Sequence, residues 1–172
     1  LKMAGKRALI QRVIDEIEKE FGKLKVEWNE FTNCGIRHIH NPRDHSLSLD
    51  QEAYIKDMKV IVHDDVRRNS AEAECGNDLQ QLFQSLLGAV AWVLQTRIDV
   101  SVFVSALQRH SGKCKHIHVK RLNAIVRYSQ REPRRLWYHR LGVDAPGAWT
   151  ALQATIDSAF KKEDDDGHAM RG

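Results

Sequence analysis

The 172-residue sequence predicts an α+β protein, with a small antiparallel sheet and helices followed by a bundle of three helices. Apolar residues recur at helical spacing in four longer segments. Shorter runs rich in alternating or β-favouring residues, separated by turn residues, lie between the first of these segments and the others. Hydrophobic residues make up 42% and charged residues 29% of the chain, a balance typical of globular rather than disordered proteins.

The chain begins with a predicted helix and strand. Residues 6–21 carry apolar side chains three and four residues apart, and Gly22 is a typical residue for ending such a helix. The apolar side of this helix comprises Leu9, Ile10, Val13, Ile14 and Ile17. Residues 23–28 then alternate strictly between polar and apolar side chains, which predicts a half-buried strand.

Two further strands and a short helix are expected next. Residues 31–40 and 45–49 predict strands, and the composition of residues 41–44 predicts a turn between them. Asp50 is a plausible N-cap for a short helix that runs to Met58. Together with the segments before them, these elements complete the predicted antiparallel layer.

The middle of the chain predicts three helices. Residues 60–76 show no clear period and are rich in Asp, Arg, Asn and Glu, so we expect a surface loop or linker there. Helices follow at 79–94, 100–107 and 115–130, and Pro133 ends the last of them. Their inward-facing residues are predicted to be Leu79, Leu82, Phe83, Leu86, Val90, Val93, Val100, Phe103, Val104, Leu107, Val119, Leu122, Ile125 and Val126. Residues 134–141 are a possible strand.

Positive charge is concentrated in one segment. Residues 109–140 contain ten Lys or Arg residues and one acidic residue, Glu132, so that segment carries +9 and the rest of the chain −5. Charge this localised favours a polyanionic partner, with nucleic acid the leading candidate. A solvated helical face is the alternative interpretation.

The cysteines and the apolar stretches bear on the compartment. Cys34, Cys75 and Cys114 are odd in number and widely spaced, so a disulfide framework is not expected, and an intracellular protein of the cytoplasm or nucleus is predicted. The most apolar region, residues 86–107, has Arg97 and Asp99 in its middle, each costing about 2.5 to 3.5 kcal/mol at the centre of a bilayer. Two buried helices without membrane association are therefore expected.

No metal site is predicted within the chain. The pair Asp64 and Asp65 lies in the predicted linker, and we reject it as a polymerase carboxylate pair. Two clusters of possible zinc ligands are Cys34 with His38 and His40, and Cys114 with His116 and His118. Neither cluster has the ligand spacings of a structural zinc site.

Several short motifs follow one another along the chain. They are LKMAG at 1–5, Gly35-Ile36, Gln51 with Tyr54, FQSLLG at 83–88, TRID at 96–99, LQR at 107–109, HVKR at 118–121, and Arg127-Tyr128. In this order they resemble a stretch of the polyproteins of copia-type retrotransposons, just past the reverse transcriptase active site. Ile98 stands where that family usually has Pro. This difference bears on how tight the turn at 96–99 is, and not on the resemblance itself.

The resemblance implies a fragment of an RNA-directed DNA polymerase with a ribonuclease H domain. It places the two metal-binding aspartates of the polymerase directly before Leu1, so the fragment alone is expected to be inactive and to need no cofactor, whereas the complete parent enzyme would use Mg²⁺. Asp157 matches the first ribonuclease H carboxylate, and the others would lie beyond Gly172. The implied divisions are the end of the palm at 1–59, a linker at 60–76, a helical thumb or connection at 77–132, and a connection strand with the start of a ribonuclease H-like domain at 133–172.

The resemblance also gives the basic helix a role. The implied partners are an RNA/DNA template–primer duplex and the rest of the Pol polyprotein, with no small-molecule substrate for this fragment. The residues expected to contact the nucleic-acid backbone are Lys113, Lys120, Arg121, Arg127, Arg131 and Arg134. Thr96, Arg97 and Asp99 are expected to set the turn between two helices, with Arg97 and Asp99 capping or pairing. A non-enzymatic binding module and an inert relic of a decayed element are the alternative interpretations.

Overall fold

Residues 2–140, which are the residues that the computed structural model describes, form one helix, three strands, a run of further helices and a last strand. The helices are α1 (Arg7–Phe21), α2 (Glu52–Asp57), α3 (Asp64–Arg68), α4 (Asn77–Val93), α5 (Ser101–Gln108) and α6 (His116–Arg131), with a 3₁₀ turn at Ile98–Val100 before α5. The strands are β1 (Glu30–Asn33), β2 (Ile36–His40), β3 (Leu47–Asp50) and β4 (Leu136–Tyr138). The segment predicted to open a ribonuclease H-like domain, with Asp157, lies outside the described residues.

The four strands form one antiparallel sheet in the order β1-β2-β3-β4. β1 and β2 are joined by Cys34 and Gly35, with φ angles of 50° and 75°. Positive φ at both central residues is the signature of the tight turn that matches strand twist in a hairpin. β4 pairs with β3, Leu49 opposite Leu136, and so connects the segment after α6 to the sheet. The predicted α+β class with a small antiparallel sheet is confirmed.

Two of the strand predictions are wrong. Residues 23–28 are not a strand, although Leu24, Val26 and Trp28 line a cavity of about 410 Å³ against the apolar side of α1. Val26 is nevertheless exposed, and Lys25 and Glu27 line the same cavity, so the alternation does not separate a buried from an exposed side. Residues 31–40 are not one strand but the β1–β2 hairpin, because the turn at 34–35 interrupts them.

The short helix α2 begins later than its sequence predicts. Asp50 belongs to β3, and the N-cap position is occupied by Gln51. Asp50 still satisfies part of the helix start, because its Oδ1 accepts a hydrogen bond from the backbone N–H of Glu52 at 3.3 Å. The predicted N-cap residue therefore helps to start the helix from within the strand.

The main hydrophobic core lies between α4, α5 and α6. It includes Leu79, Phe83, Val104, Val119 and Leu122, each almost fully buried. The helices predicted at 79–94, 100–107 and 115–130 correspond to α4, α5 and α6. Two predicted core residues are not in it, because the side chains of Leu82 and Phe103 are 46% and 61% exposed.

The predicted surface loop at 60–76 is partly wrong, because it contains α3 and contributes to the core. Val66 of α3 is buried, and Val60 and Ile61 pack against the same cluster. On α1, Ile14 is buried while Leu9 and Val13 are exposed, so that helix buries less of its apolar side than predicted. The division of the chain into palm, linker, thumb and ribonuclease H segments stays a prediction.

Candidate nucleic-acid interface

Helix α6 has one buried face and one charged, exposed face. Val119, Leu122 and Val126 turn inward and are close to fully buried, as their spacing predicts. The basic residues of the helix occupy the opposite side. The division follows from the sequence, because apolar residues three and four apart fall on a single side of an α-helix.

Lys120, Arg127 and Arg131 form a row along the exposed face, and we call this row the basic ridge. Intervals of seven and four residues place the three side chains on one side of the helix. Within the part of the chain that is described, Lys120 and Arg127 have no carboxylate partner, and Arg131 lies 3.8 Å from Glu132. Arg127 and Arg131 stand near the C-terminal end of α6, where positive charge is favoured by the helix dipole. Among residues 2–140, Lys120 and Arg127 are therefore cations without a local counter-charge.

The other predicted contact residues lie in different environments. Lys113 precedes α6, so the helical spacing that linked it to Lys120 and Arg127 does not apply, and it pairs with Glu74 at 2.7 Å. Arg134 follows Pro133 beyond the end of the helix and lies 3.9 Å from Asp99. Arg121 is exposed on α6 beside the ridge and lines a groove of about 680 Å³ between α5 and α6. The structure brings Lys120, Arg121, Arg127 and Arg131 together on one helix.

Two polar residues that sequence reasoning missed fasten α6 to the preceding chain. Asn123 is buried and makes a reciprocal pair of hydrogen bonds with the backbone of Ile61, each 2.8 Å long. Gln130 donates from its amide nitrogen to the carbonyls of Met58 and Ile55, at 2.9 and 3.1 Å. A buried Asn within an apolar helical stripe was the available signal for such an anchor, because buried amides require partners.

The turn before α5 is built around a buried arginine. Arg97 donates from Nε and Nη2 to the two carboxylate oxygens of Asp99, both at 2.9 Å, and from Nη1 to the carbonyl of Ser129 at 3.1 Å. Its guanidinium also lies over the Tyr128 ring, 5.4 Å from the centroid. The hydrogen bonds from Arg97 lower the pKa of the Asp99 carboxyl, and those to Asp99 raise the pKa of Arg97. The ion pair between Arg97 and Asp99, which the sequence offered as an alternative to capping, is thus present. Through the carbonyl of Ser129, Arg97 also contacts α6.

Thr96 links the same turn to the sheet side of the molecule. Its hydroxyl lies 2.8 Å from the side-chain amide of buried Gln51. With the amide nitrogen of Gln51 donating to Thr96, the amide oxygen accepts from the Trp92 indole N–H at 3.2 Å, and both ends of the amide are satisfied. The turn is therefore joined to Gln51 by Thr96 and to α6 by Arg97.

The start of α6 is closed by a histidine. The backbone N–H of Lys115 donates to Nδ1 of His118 at 3.1 Å, and the His118 ring stacks on His110 with centroids 3.9 Å apart. Burial first, and then the electrostatic effect of the neighbouring His110, Arg121 and Lys115, lowers the pKa of His118. A ring nitrogen that accepts a hydrogen bond requires the neutral imidazole, so both observations favour an uncharged His118.

The candidate metal-binding residues have other partners. Asp64 lies 3.4 Å from Arg68 and Asp65 lies 3.7 Å from His63, at the start of α3. His116 approaches Asn69 at 3.4 Å, whereas His118 stacks on His110. Over residues 2–140, no group of three or more His, Cys, Asp or Glu side chains is placed to hold a metal ion.

Comparison with protein-family models, with curated proteins and with solved structures found no match for this chain. No helix among the described residues combines the length and the apolar character needed to cross a membrane.

Proposed function

We propose that the basic ridge binds the sugar–phosphate backbone of a nucleic-acid duplex. The observation that carries this proposal is that Lys120 and Arg127 share an exposed helical face and have no carboxylate partner among residues 2–140, while the opposite face is fixed in the core. Lysine and arginine that already sit in ion pairs would have to give up a partner to bind phosphate, and these two would not. Binding of this kind is electrostatic and releases counterions from the duplex.

The geometry favours contact with the backbone rather than reading of bases. Seven residues of helix separate Lys120 from Arg127 by about 10.5 Å, which is about three base-pair rises along a duplex axis. Contacts to phosphates position a protein on a duplex but carry no sequence information directly. The proposed role of the basic ridge is therefore to bind the duplex backbone without sequence preference.

In the fuller form of the proposal, the chain is part of a copia-type RNA-directed DNA polymerase. The sheet with α1 and α2 would then be the end of the palm, and α4 to α6 the thumb or connection that grips the template–primer duplex. Support comes from the order of the motifs in the sequence, including TRID at 96–99, whose buried Arg97 forms an ion pair with Asp99. The catalytic aspartates of the polymerase would be supplied from outside this segment, with Mg²⁺, and Asp157 would be the first ribonuclease H carboxylate.

A non-enzymatic nucleic-acid-binding module is the second candidate. It is favoured by the number of interactions that join α6 to the rest of the described chain, including the Asn123–Ile61 and Gln130–Met58 hydrogen bonds. Such a module would be a stable monomer without flanking sequence. An inert relic would bind neither hybrid nor duplex DNA.

Two experiments test the proposal. Fluorescence anisotropy with a labelled RNA–DNA hybrid should show binding that weakens steeply as salt rises, and no binding at low salt would contradict it. Sequencing the full transcript through both ends separates the two candidates. An in-frame pair of aspartates just before Leu1, with further carboxylates after Gly172, supports the polymerase, whereas unrelated flanking exons support the module.

A further inference from the structure

Two free cysteines lie opposite each other, one at the end of the 60–76 segment and the other just before α6. Cys75 lies just before α4, and Cys114 lies just before α6. Glu74 and Lys115 form an antiparallel bridge, and the backbone N–H of Cys75 donates to the carbonyl of Cys114 at 2.9 Å. Cys75 and Cys114 are therefore directly opposite each other, because each is adjacent in sequence to one of the two bridged residues.

This arrangement suits a covalent link between the two sulfurs. Opposite residues that exchange both backbone hydrogen bonds in an antiparallel pair have Cα atoms about 5.5 Å apart, and Cys75 and Cys114 share one of these two bonds. Disulfides most often span about 5.5 to 6 Å between Cα atoms. The two thiols already interact with each other, and this contact affects the pKa of both.

The two segments are held in register by interactions that do not involve sulfur. Lys113 pairs with Glu74 at 2.7 Å, and Lys115 pairs with Glu72 at 2.9 Å. The Gln80 side chain accepts from the backbone N–H of Cys114 at 2.7 Å and donates to the carbonyl of Ser111. Closing a disulfide would thus require little rearrangement of the backbone.

From this geometry we propose that Cys75 and Cys114 are a site of oxidative modification and form an intramolecular disulfide on reaction with a peroxide. The Cys75 sulfur attacks one oxygen of hydrogen peroxide, the O–O bond breaks, and Cys75 becomes a sulfenic acid with release of one water. The Cys114 sulfur then attacks the Cys75 sulfur, the S–O bond breaks, and a second water leaves. The two thiols together lose two electrons and two protons, and the peroxide is reduced to two waters.

The order of attack follows from exposure. Cys75 is half-buried and Cys114 is fully buried, so peroxide reaches Cys75 first. Burial raises the pKa of both thiols, that of Cys114 to about 12, so the first step is expected to be slow compared with that of activated cysteines. This inference is independent of nucleic-acid binding.

The test uses the full chain with Cys34→Ser, which removes the exposed third thiol at the hairpin turn. After treatment with hydrogen peroxide and then N-ethylmaleimide, mass spectrometry of the intact protein should show the loss of two hydrogens and no maleimide adduct. After digestion, it should show two peptides joined by a disulfide between Cys75 and Cys114. Dithiothreitol should restore both thiols. Adding Cys75→Ser should abolish the link, and circular dichroism would verify that this variant is folded.

A second measurement separates a preorganised pair from chance encounter. The ratio of Cys75–Cys114 disulfide to sulfenic and sulfinic acid on Cys75 should be about tenfold or more higher in native buffer than in urea, because the fold holds the sulfurs together for the second step. Equal ratios in the two conditions, sulfinic acid on Cys75 as the main product, or only intermolecular dimers would overturn the proposal.

Discussion

Arg97 and Asp99 form a two-pronged ion pair in which the arginine side chain is 0% exposed and the aspartate 25%. The same guanidinium donates to the carbonyl of Ser129 near the end of α6. The turn before α5 and the C-terminal end of the basic helix are therefore held by one buried charge. Among residues 2–140, Asp99 is the carboxylate that neutralises this charge, and the ring of Tyr128 adds its face.

Asp99→Ala should destabilise the protein strongly. The substitution leaves the Arg97 guanidinium buried without its counter-charge, a change that typically costs about 3 to 5 kcal/mol. Urea denaturation followed by circular dichroism would measure the free energy of unfolding. Asp64→Ala is the matched control, because Asp64 pairs with Arg68 on the surface, and such pairs contribute about 0 to 1 kcal/mol. Equal effects of the two substitutions would contradict the account.

The same pair predicts a loss of stability in acid. Arg97 lowers the pKa of Asp99 in the folded protein, whereas the carboxyl has its ordinary pKa of about 3.9 when unfolded. Its contribution is complete above about pH 4 and is lost as pH falls through the lower, folded-state pKa. Equilibrium unfolding from pH 6 to pH 2 should therefore show a steeper decline for the native sequence than for Asp99→Asn. Parallel curves for the two proteins would argue against this linkage.

Leu122→Ala should destabilise far more than Leu82→Ala. Leu122 is 0% exposed in the main core, and removing such a side chain costs about 2 to 5 kcal/mol through lost burial and the cavity left behind. Leu82 is on the exposed side of α4, so the same chemical change should cost well under half as much. Thermal or urea unfolding of both variants gives the comparison. Similar losses of stability would mean that Leu82 lies in the core and not on the exposed side of α4.

Asn123→Leu should release the segment around Ile61 from α6. The change removes both hydrogen bonds to the Ile61 backbone and leaves that N–H and C=O without their partner, at a cost of about 1 to 3 kcal/mol. Amide hydrogen exchange should show loss of protection at Ile61. Exposed Asn33→Leu is a control of the same residue type, and it should leave exchange at Ile61 unchanged. Unaltered protection in Asn123→Leu would show that packing, and not the amide, holds this segment.

The sequence predicts the helices of this fold better than its sheet. The stripes on α4, α5 and α6 are local and follow from a 3.6-residue period, so most of their core positions are found as expected. The pairing of β3 with β4 joins residues almost ninety positions apart, and nothing in either strand specifies the other. The alternation at 23–28 shows the limit of a period-2 pattern, because it occurs in a segment that forms no strand and in which Val26 is exposed.

For the candidate interface, the sequence locates the charge but not its surroundings. Lys120 and Arg127 share a face because both lie within α6, whereas Lys113 precedes the helix, and the start of α6 depends on His118 accepting from the backbone of Lys115. The ion pair between Lys113 and Glu74 is a contact across the fold that no spacing within the basic segment could indicate. The roles of Asn123 and Gln130 as anchors have the same non-local origin.

The most direct test of the account compares the salt dependence of nucleic-acid binding in two double variants. Lys120→Ala with Arg127→Ala removes two ridge charges, and Lys23→Ala with Arg12→Ala removes the same two residue types from exposed positions on and just after α1. Anisotropy titrations with an RNA–DNA hybrid over a range of salt concentrations give the slope of log affinity against log salt. The ridge variant should bind more weakly and have a slope smaller in magnitude by about 1.8, because each lost phosphate contact removes about 0.9, while the control keeps the slope of the native sequence. Identical slopes for the ridge variant and the native protein would contradict the claim that this face of α6 binds nucleic acid.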